Sequence, residues 1–229
     1  MASAGVRPGG RHLLCSRSLA EEIVRDAGIG RGELVVDVGA GTGLLTRALL
    51  DAGARVVAVE PDHRSAARLR RSCPEARVVE APAASVAWPS GPFRVVANLP
   101  FQASSEICRG LLGDRSLALL SADLIVEWDL AAKRARLWPS TVGSVVWGAW
   151  YELSVTRRLP PELFVPRPSA AGGVLRATRR AVPLVDPASA AEFEHFVRRG
   201  FARGGRELDA HGLARRFRLD RGRNVRSRP

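Results

Sequence analysis

Short runs of Val, Leu and Ala alternate along the first half of the chain with stretches whose apolar residues recur every three or four positions. Leu34–Val38, Arg55–Val59, Arg77–Val79 and Phe93–Ala97 are runs of the first kind, and each predicts a strand. Residues 44–52, 62–72 and 104–112 are of the second kind and predict helices. Strands apolar on both faces belong to a sheet with helices packed on each side. The alternation therefore predicts an α/β fold with a mostly parallel, doubly wound sheet and ligands beyond the carboxyl ends of its strands. Ahead of this unit, Ser18-Leu19-Ala20-Glu21 has the form of a capping box for a helix that turns Ile23 and Val24 inward and stops at Gly28.

After about residue 117 the pattern changes. Leu117–Val126 is apolar, residues 129–136 are charged and helical in style, and Val142–Trp150 is apolar and aromatic. Tyr151–Val155 and Gly173–Arg179 predict an antiparallel pair of strands at the sheet edge. The prolines of residues 160–168 remove donors and fix φ, which excludes regular structure there, while Leu163 and Phe164 call for an ordered loop. Pro183 and Pro187 mark a linker. Beyond it Phe193, Phe196, Val197 and Phe201 fall at helical spacing. The expected organisation is a basic flexible arm over 1–11, a Rossmann-like domain over 12–180 and a small helical, basic C-terminal region over 181–229.

Charge narrows the class of partner. The net charge is +12, and Lys133 is the only lysine. A G+C-rich coding sequence would explain arginine in place of lysine but not the excess of positive charge. Residues 198–229 hold eleven arginines against Glu207, Asp209 and Asp220, a balance of 11 − 3 = +8. Such an excess points to a polyanion, and arginine, which grips phosphate with two donors and stacks on bases, suits RNA. Cys15, Cys73 and Cys108 show no C-x-x-C spacing and read as reduced thiols. With no apolar stretch of signal-peptide or membrane-spanning length, a soluble cytoplasmic protein is expected. His63, His195 and His211 lack ligand-spaced partners, so no metal site is expected.

Two strand ends carry the candidate chemistry. The first strand runs into Asp37-Val38-Gly39-Ala40-Gly41-Thr42-Gly43, a G-x-G-x-G turn rather than the G-x-G-x-x-G of dinucleotide enzymes. Its glycines tolerate φ > 0 and let a ligand approach the backbone, which suits the amino-acid part of S-adenosylmethionine better than a pyrophosphate. Glu60 follows the next strand, placed to accept from ribose hydroxyls. The second strand end is Asn98-Leu99-Pro100-Phe101. Acceptors from the Asn98 side chain and the Pro100 carbonyl would hold both N–H bonds of an exocyclic amine and aim its lone pair at a methyl group. Phe101 would stack on the extruded base. Taken singly, each segment could be an ordinary turn.

Together these segments resemble the ribosomal RNA adenine-N6 methyltransferases, which comprise the Erm-type 23S enzymes and the 16S dimethyladenosine transferases. The resemblance runs from about Gly10 to Arg180. Gly10-Arg11-His12-Leu13-Leu14 is similar to the family's N-terminal segment, implying that His12 and Leu14 touch the cofactor together with Gly39, Gly41, Gly43, Glu60 and Asn98. Phe164-Val165-Pro166-Arg167-Pro168 resembles the family's loop near the target base, where Phe164 would close the base's second face. The stretches around Val126–Arg134, Ser144–Trp150 and Arg157–Pro160 are closer to the 23S branch. Lys133, Arg134, Arg157, Arg158, Arg179 and Arg180 are candidates for contact with RNA, against the plain alternative of a solvated basic surface. Arg11 and Leu13 stand where the family has Gln and Phe. Pro82 stands where it has an acid for the cofactor's adenine, a lost acceptor worth about 1–3 kcal/mol unless Glu80 replaces it. What the resemblance implies is a monomeric enzyme that methylates adenine N6 in 23S rRNA and confers macrolide-type resistance. The rival readings are a 16S dimethyladenosine transferase, a non-catalytic rRNA-binding assembly factor and, more remotely, a small-molecule methyltransferase.

Overall fold

A computed structural model describes residues 12–135, 141–203 and 210–226, so the expected arm over 1–11 lies outside the described residues. The chain opens with a two-residue strand, β1 (Leu13–Leu14), and helix α1 (Arg17–Asp26). It then alternates through β2 (Leu34–Val38), α2 (Leu44–Asp51), β3 (Arg55–Val59), α3 (His63–Ser72) and β4 (Arg77–Val79). After a short 3-10 turn come β5 (Phe93–Asn98), α4 (Ser104–Gly113), β6 (Leu119–Glu127), α5 (Trp128–Ala135) and α6 (Val142–Gly148). The edge is built by β7 (Tyr151–Leu159) and β9 (Gly172–Arg179), with β8 (Phe164–Val165) between them in sequence. Helices α7 (Ala190–Ala202) and α8 (Ala210–Arg226) complete the described chain.

Seven strands form one sheet in the order β4-β3-β2-β5-β6-β9-β7. The pairs from β4 to β6 are parallel, and β9 runs antiparallel to both β6 and β7. The order reverses between β2 and β5, so the crevice of a doubly wound sheet opens above the ends of these two strands. Each face carries its own core. Val35, Val56 and Val96 pack with Ile23, Val24 and Leu49 of α1 and α2, whereas Val36, Val95 and Ala97 face Ile107 and Leu111 of α4.

The cap of α1 differs from expectation. Ser16, not Ser18, has the extended conformation of an N-cap, and its hydroxyl accepts from the Leu19 N–H at 3.2 Å. Ser18 is already helical, and Glu21 is engaged by Arg17 at 2.8 Å instead of reaching back to the backbone. The segment over 160–168 also holds more regular structure than its prolines suggest. Phe164 and Val165 keep their N–H groups, and as β8 they pair antiparallel with β1, Leu13 opposite Val165 and Leu14 opposite Phe164. The Val165–Pro166 peptide is cis.

Helices α7 and α8 share the core of the sheet. Phe193, Val197, Leu213 and Phe217 join the cluster that contains Phe93, Trp147 and Trp150. The Phe193 ring meets Trp150 edge-on at 6.0 Å and Phe217 at 5.5 Å. No helix among the described residues is long and apolar enough to cross a membrane.

Candidate active site

The glycine turn leaves β2 directly beneath the crevice. Gly39, Gly41 and Gly43 all have positive φ, at 76°, 55° and 85°, a region that L side chains rarely enter. At Gly39 a Cβ would stand 3.5 Å from the Asn98 carbonyl oxygen, so the cradle and the end of β5 are in contact. At Gly41 it would stand 2.7 Å from Leu13, and at Gly43 it would meet Leu69 of α3 at 2.8 Å. The turn is thus closely enclosed on three sides. Its remaining opening is a small cavity lined by Leu13, Leu14, Asp37, Gly39, Thr42 and Asn98.

Two carboxylates brace the turn from below. Glu60 is fully buried, accepting from the Gly41 N–H at 3.0 Å and from the Asp62 N–H at 2.8 Å. Asp37 accepts from the Thr46 hydroxyl at 2.7 Å, while its Oδ1 atom is buried with no hydrogen-bond partner. Burial pushes the Asp37 carboxyl up to about 7. The Thr46 hydrogen bond opposes this and the Glu60 charge adds to it. In the sequence Asp37 is one more position of a strand, and only its burial with an unpartnered oxygen sets it apart.

Asn98 ends β5 at the rim of the cavity. Its amide donates to the His12 carbonyl at 2.7 Å, and its Oδ1 is buried without a donor. That leaves a buried acceptor unused beside the cavity. The Pro100 carbonyl, expected to act beside it, is engaged elsewhere: it accepts from the Ala103 N–H and the Ser104 hydroxyl, both at 2.9 Å. Satisfying the first turn of α4 uses both of its lone pairs. Leu99 is buried and holds the turn through its N–H to the Ile125 carbonyl at 3.0 Å.

Phe101 is half-buried, wedged between the His12 ring at 5.2 Å and the edge of Phe164 at 5.9 Å. Phe164 itself is 2% exposed. It therefore supports Phe101 from beneath and does not offer a face to a base, contrary to the sandwich expected. His12 donates from Nδ1 to the Pro166 carbonyl at 2.8 Å, which ties the N-terminal segment to the proline loop. Leu14 is buried beside the glycine turn.

The remaining candidates separate into two groups. Glu80 turns to α3, where His63 reaches it at 3.0 Å and Arg70 at 3.6 Å, and Pro82 is exposed at the start of the following turn. Glu80 is thus not poised over the cradle in place of the missing acid. Arg157 is held by Glu22 and Asp26, Arg179 by the carbonyls of Leu117, Leu119 and Arg115, and Arg180 by Glu152 and the Gly148 carbonyl. These three knit β7 and β9 to the rest of the fold. Arg134 lies over Trp147 at 4.7 Å with a hydrogen bond to Thr141, and Arg158 lies over Trp128 at 5.0 Å. Lys133 and Arg158 are the exposed members of the set.

A left-handed glycine turn, with buried unpartnered oxygens at Asp37 and Asn98 beside it, fits the aminoacyl part and sulfonium of S-adenosylmethionine. The fold and the site define a methyltransferase dependent on that cofactor. The chain belongs to the ribosomal RNA adenine dimethylase family, which it matches over residues 8–219. It is 33% identical over 208 residues to the mycinamicin-resistance protein MyrB of Micromonospora griseorubida, covering 88% of this chain and 66% of that protein. It is 36% identical to an rRNA methyltransferase of Streptomyces thermotolerans, over 92% of this chain and 71% of the relative. A ribosomal RNA small subunit methyltransferase A of Bordetella pertussis is also 36% identical, over 84% and 75%. Among solved structures, the 23S rRNA methyltransferase ErmE superposes with a TM-score of 0.76 at 28% identity, over 83% of this chain and 79% of that one.

Proposed function

We infer that the protein transfers methyl from S-adenosylmethionine to the N6 amine of an adenine in 23S rRNA, a modification that blocks macrolide-type antibiotics. The observation that carries the chemistry is the buried, unpartnered Oδ1 of Asn98, set against the glycine turn and one turn of chain from Phe101. Gly39, Gly41 and Gly43 hold the cofactor's aminoacyl end close to the backbone, and Glu60, expected to accept from the ribose, is instead buried and fixes the turn through the Gly41 and Asp62 N–H groups. When bound, the cofactor supplies an electrophilic methyl on a sulfonium. Asn98 Oδ1 accepts one N–H of the adenine amine and so turns the nitrogen lone pair out of conjugation with the ring. With the Pro100 carbonyl occupied, the second acceptor is the Leu99 carbonyl, one residue earlier. Phe101, fixed by His12 and Phe164, stacks on the extruded base. Catalysis here is positioning, and no side chain needs to act as a nucleophile. Cradle and base pocket come from one chain, which suits a monomer working in the cytoplasm, where ribosomes are.

The similarity to the Bordetella small-subunit enzyme favours 16S rRNA as the second reading. Incubation with labelled cofactor and each naked rRNA, followed by mapping of the modified base, decides between the two. Single-turnover rates on the accepted rRNA should fall in the order wild type, Phe101→Tyr, Phe101→Leu, Asn98→Ala, the last by on the order of 10²-fold because a misplaced amine loses its alignment. An Asn98→Ala rate equal to wild type would reduce the tetrapeptide to a turn.

A further inference from the structure

Helix α3 carries His63-Arg64-Ser65-Ala66-Ala67-Arg68-Leu69-Arg70-Arg71-Ser72 and contains no acid. Helices α1 and α7 interleave their charges. Arg17 pairs with Glu21 on α1, and Glu194 pairs with Arg198 on α7, both at the i,i+4 spacing. On α3 the equivalent pair is Arg64 and Arg68, two like charges that oppose helix formation. Arg70 is accounted for by Glu80. Arg64, Arg68 and Arg71 lie at i, i+4 and i+7 on one exposed face, opposite the buried Ala66 and Leu69, and make no ion pair or hydrogen bond among the described residues. A row of three unneutralised guanidiniums on a helix that folding alone would not charge this way calls for an external anion.

The row's position says which anion. Helix α3 begins one turn after Glu60, at the rim where the strands end, and from Arg64 to Arg71 it advances about 10 Å, with Arg64 and Arg68 about 6 Å apart along the axis. It packs on Ala58 and Val78, on one face of the sheet at the β4 edge, whereas the basic helix α8 packs on the other face. Leu69 of α3 lies against Gly43, 2.8 Å from where its Cβ would stand, so the arginine row flanks the glycine turn. We propose that the Arg64–Arg68–Arg71 face of α3 is a second RNA-docking surface, holding successive phosphates of the strand that flanks the target adenine on the cofactor side. This rests on rRNA being the substrate. Arginine contacts of this kind position the strand and read no bases.

The test is the triple variant Arg64→Gln/Arg68→Gln/Arg71→Gln in the full chain, beside an Arg-to-Lys triple at the same positions. Binding of a 23S rRNA fragment containing the modified adenine is measured as a function of KCl. Each lost phosphate contact lowers the slope of log K against log salt by about 0.7–0.9. The glutamine triple should therefore lose about 2 in slope and raise KM for RNA about tenfold, with kcat and cofactor affinity unchanged and a thermal midpoint no lower than wild type. The lysine triple should keep the slope. A glutamine triple with wild-type slope and KM overturns the proposal. If the wild type methylates neither rRNA, the functional reading fails, and the slope comparison on the same fragment still decides whether α3 grips RNA.

Discussion

Replacing Gly41 by alanine perturbs the glycine turn in two separable ways. At φ 55° any L residue is strained, a cost of about 1–2 kcal/mol to folding. For a chain of this length that lowers the thermal midpoint by roughly 2–8 °C. The new Cβ would also lie 2.7 Å from the Leu13 Cδ2 atom, about 1 Å inside ordinary contact, so the Leu13 side chain that lines the cradle must turn away. Leu13 belongs to β1, which pairs with β8 beside Phe164, and it follows His12, whose carbonyl accepts from Asn98. Gly39→Ala is the matched control for strain: its φ is 76°, but its Cβ would sit at 3.5 Å from the Asn98 carbonyl oxygen, in ordinary contact. Both variants should lose comparable stability by differential scanning calorimetry. Calorimetric titration should show Gly41→Ala losing at least tenfold in affinity for S-adenosylmethionine, because the new methyl and the turned Leu13 side chain occupy the space against the turn. Affinity within twofold of wild type, with the stability loss present, would refute the assignment of this turn as the cofactor cradle.

Gly172→Ala should act on the base pocket from behind, since its Cβ would stand 2.9 Å from the Phe164 ring that supports Phe101. An overpacking cost of about 1–3 kcal/mol is expected, with a slowed methyl-transfer step and unchanged cofactor affinity in single-turnover and titration assays. Asp37 is protonated in the native state up to about pH 7 but ionised in the unfolded chain above about pH 4. Its native carboxyl therefore binds the extra proton, and stability should fall as pH rises from about 4 to 7. Urea midpoints of Asp37→Asn, compared with wild type across this range, should show a flatter dependence. Glu80→Ala should change cofactor affinity less than twofold, because its carboxylate is turned to His63 and Arg70 on α3; a larger loss by titration would return Glu80 to the cradle.

Most of the sheet and both candidate strand ends were legible in the sequence because they rest on local chemistry. Strands that helices cover are apolar where they are buried, so β2, β3 and β4 have the limits that their Val-rich runs predict. A backbone with φ > 0 calls for glycine, so Gly39, Gly41 and Gly43 mark the turn before any contact is known. What pairs across the fold was not legible. The β1–β8 ladder joins residues about 150 apart, and nothing in either two-residue segment specifies the other. The arginines of α3 and of the chain after residue 150 look alike in sequence, yet tertiary neighbours engage Arg157, Arg179 and Arg180 and leave Arg64, Arg68 and Arg71 facing outward. Likewise the Pro100 carbonyl is occupied by α4 and the Asn98 Oδ1 is not. Residue type sets which hydrogen bonds and charges a position can offer, but the packing of distant segments decides which of them are satisfied internally and which remain for a ligand.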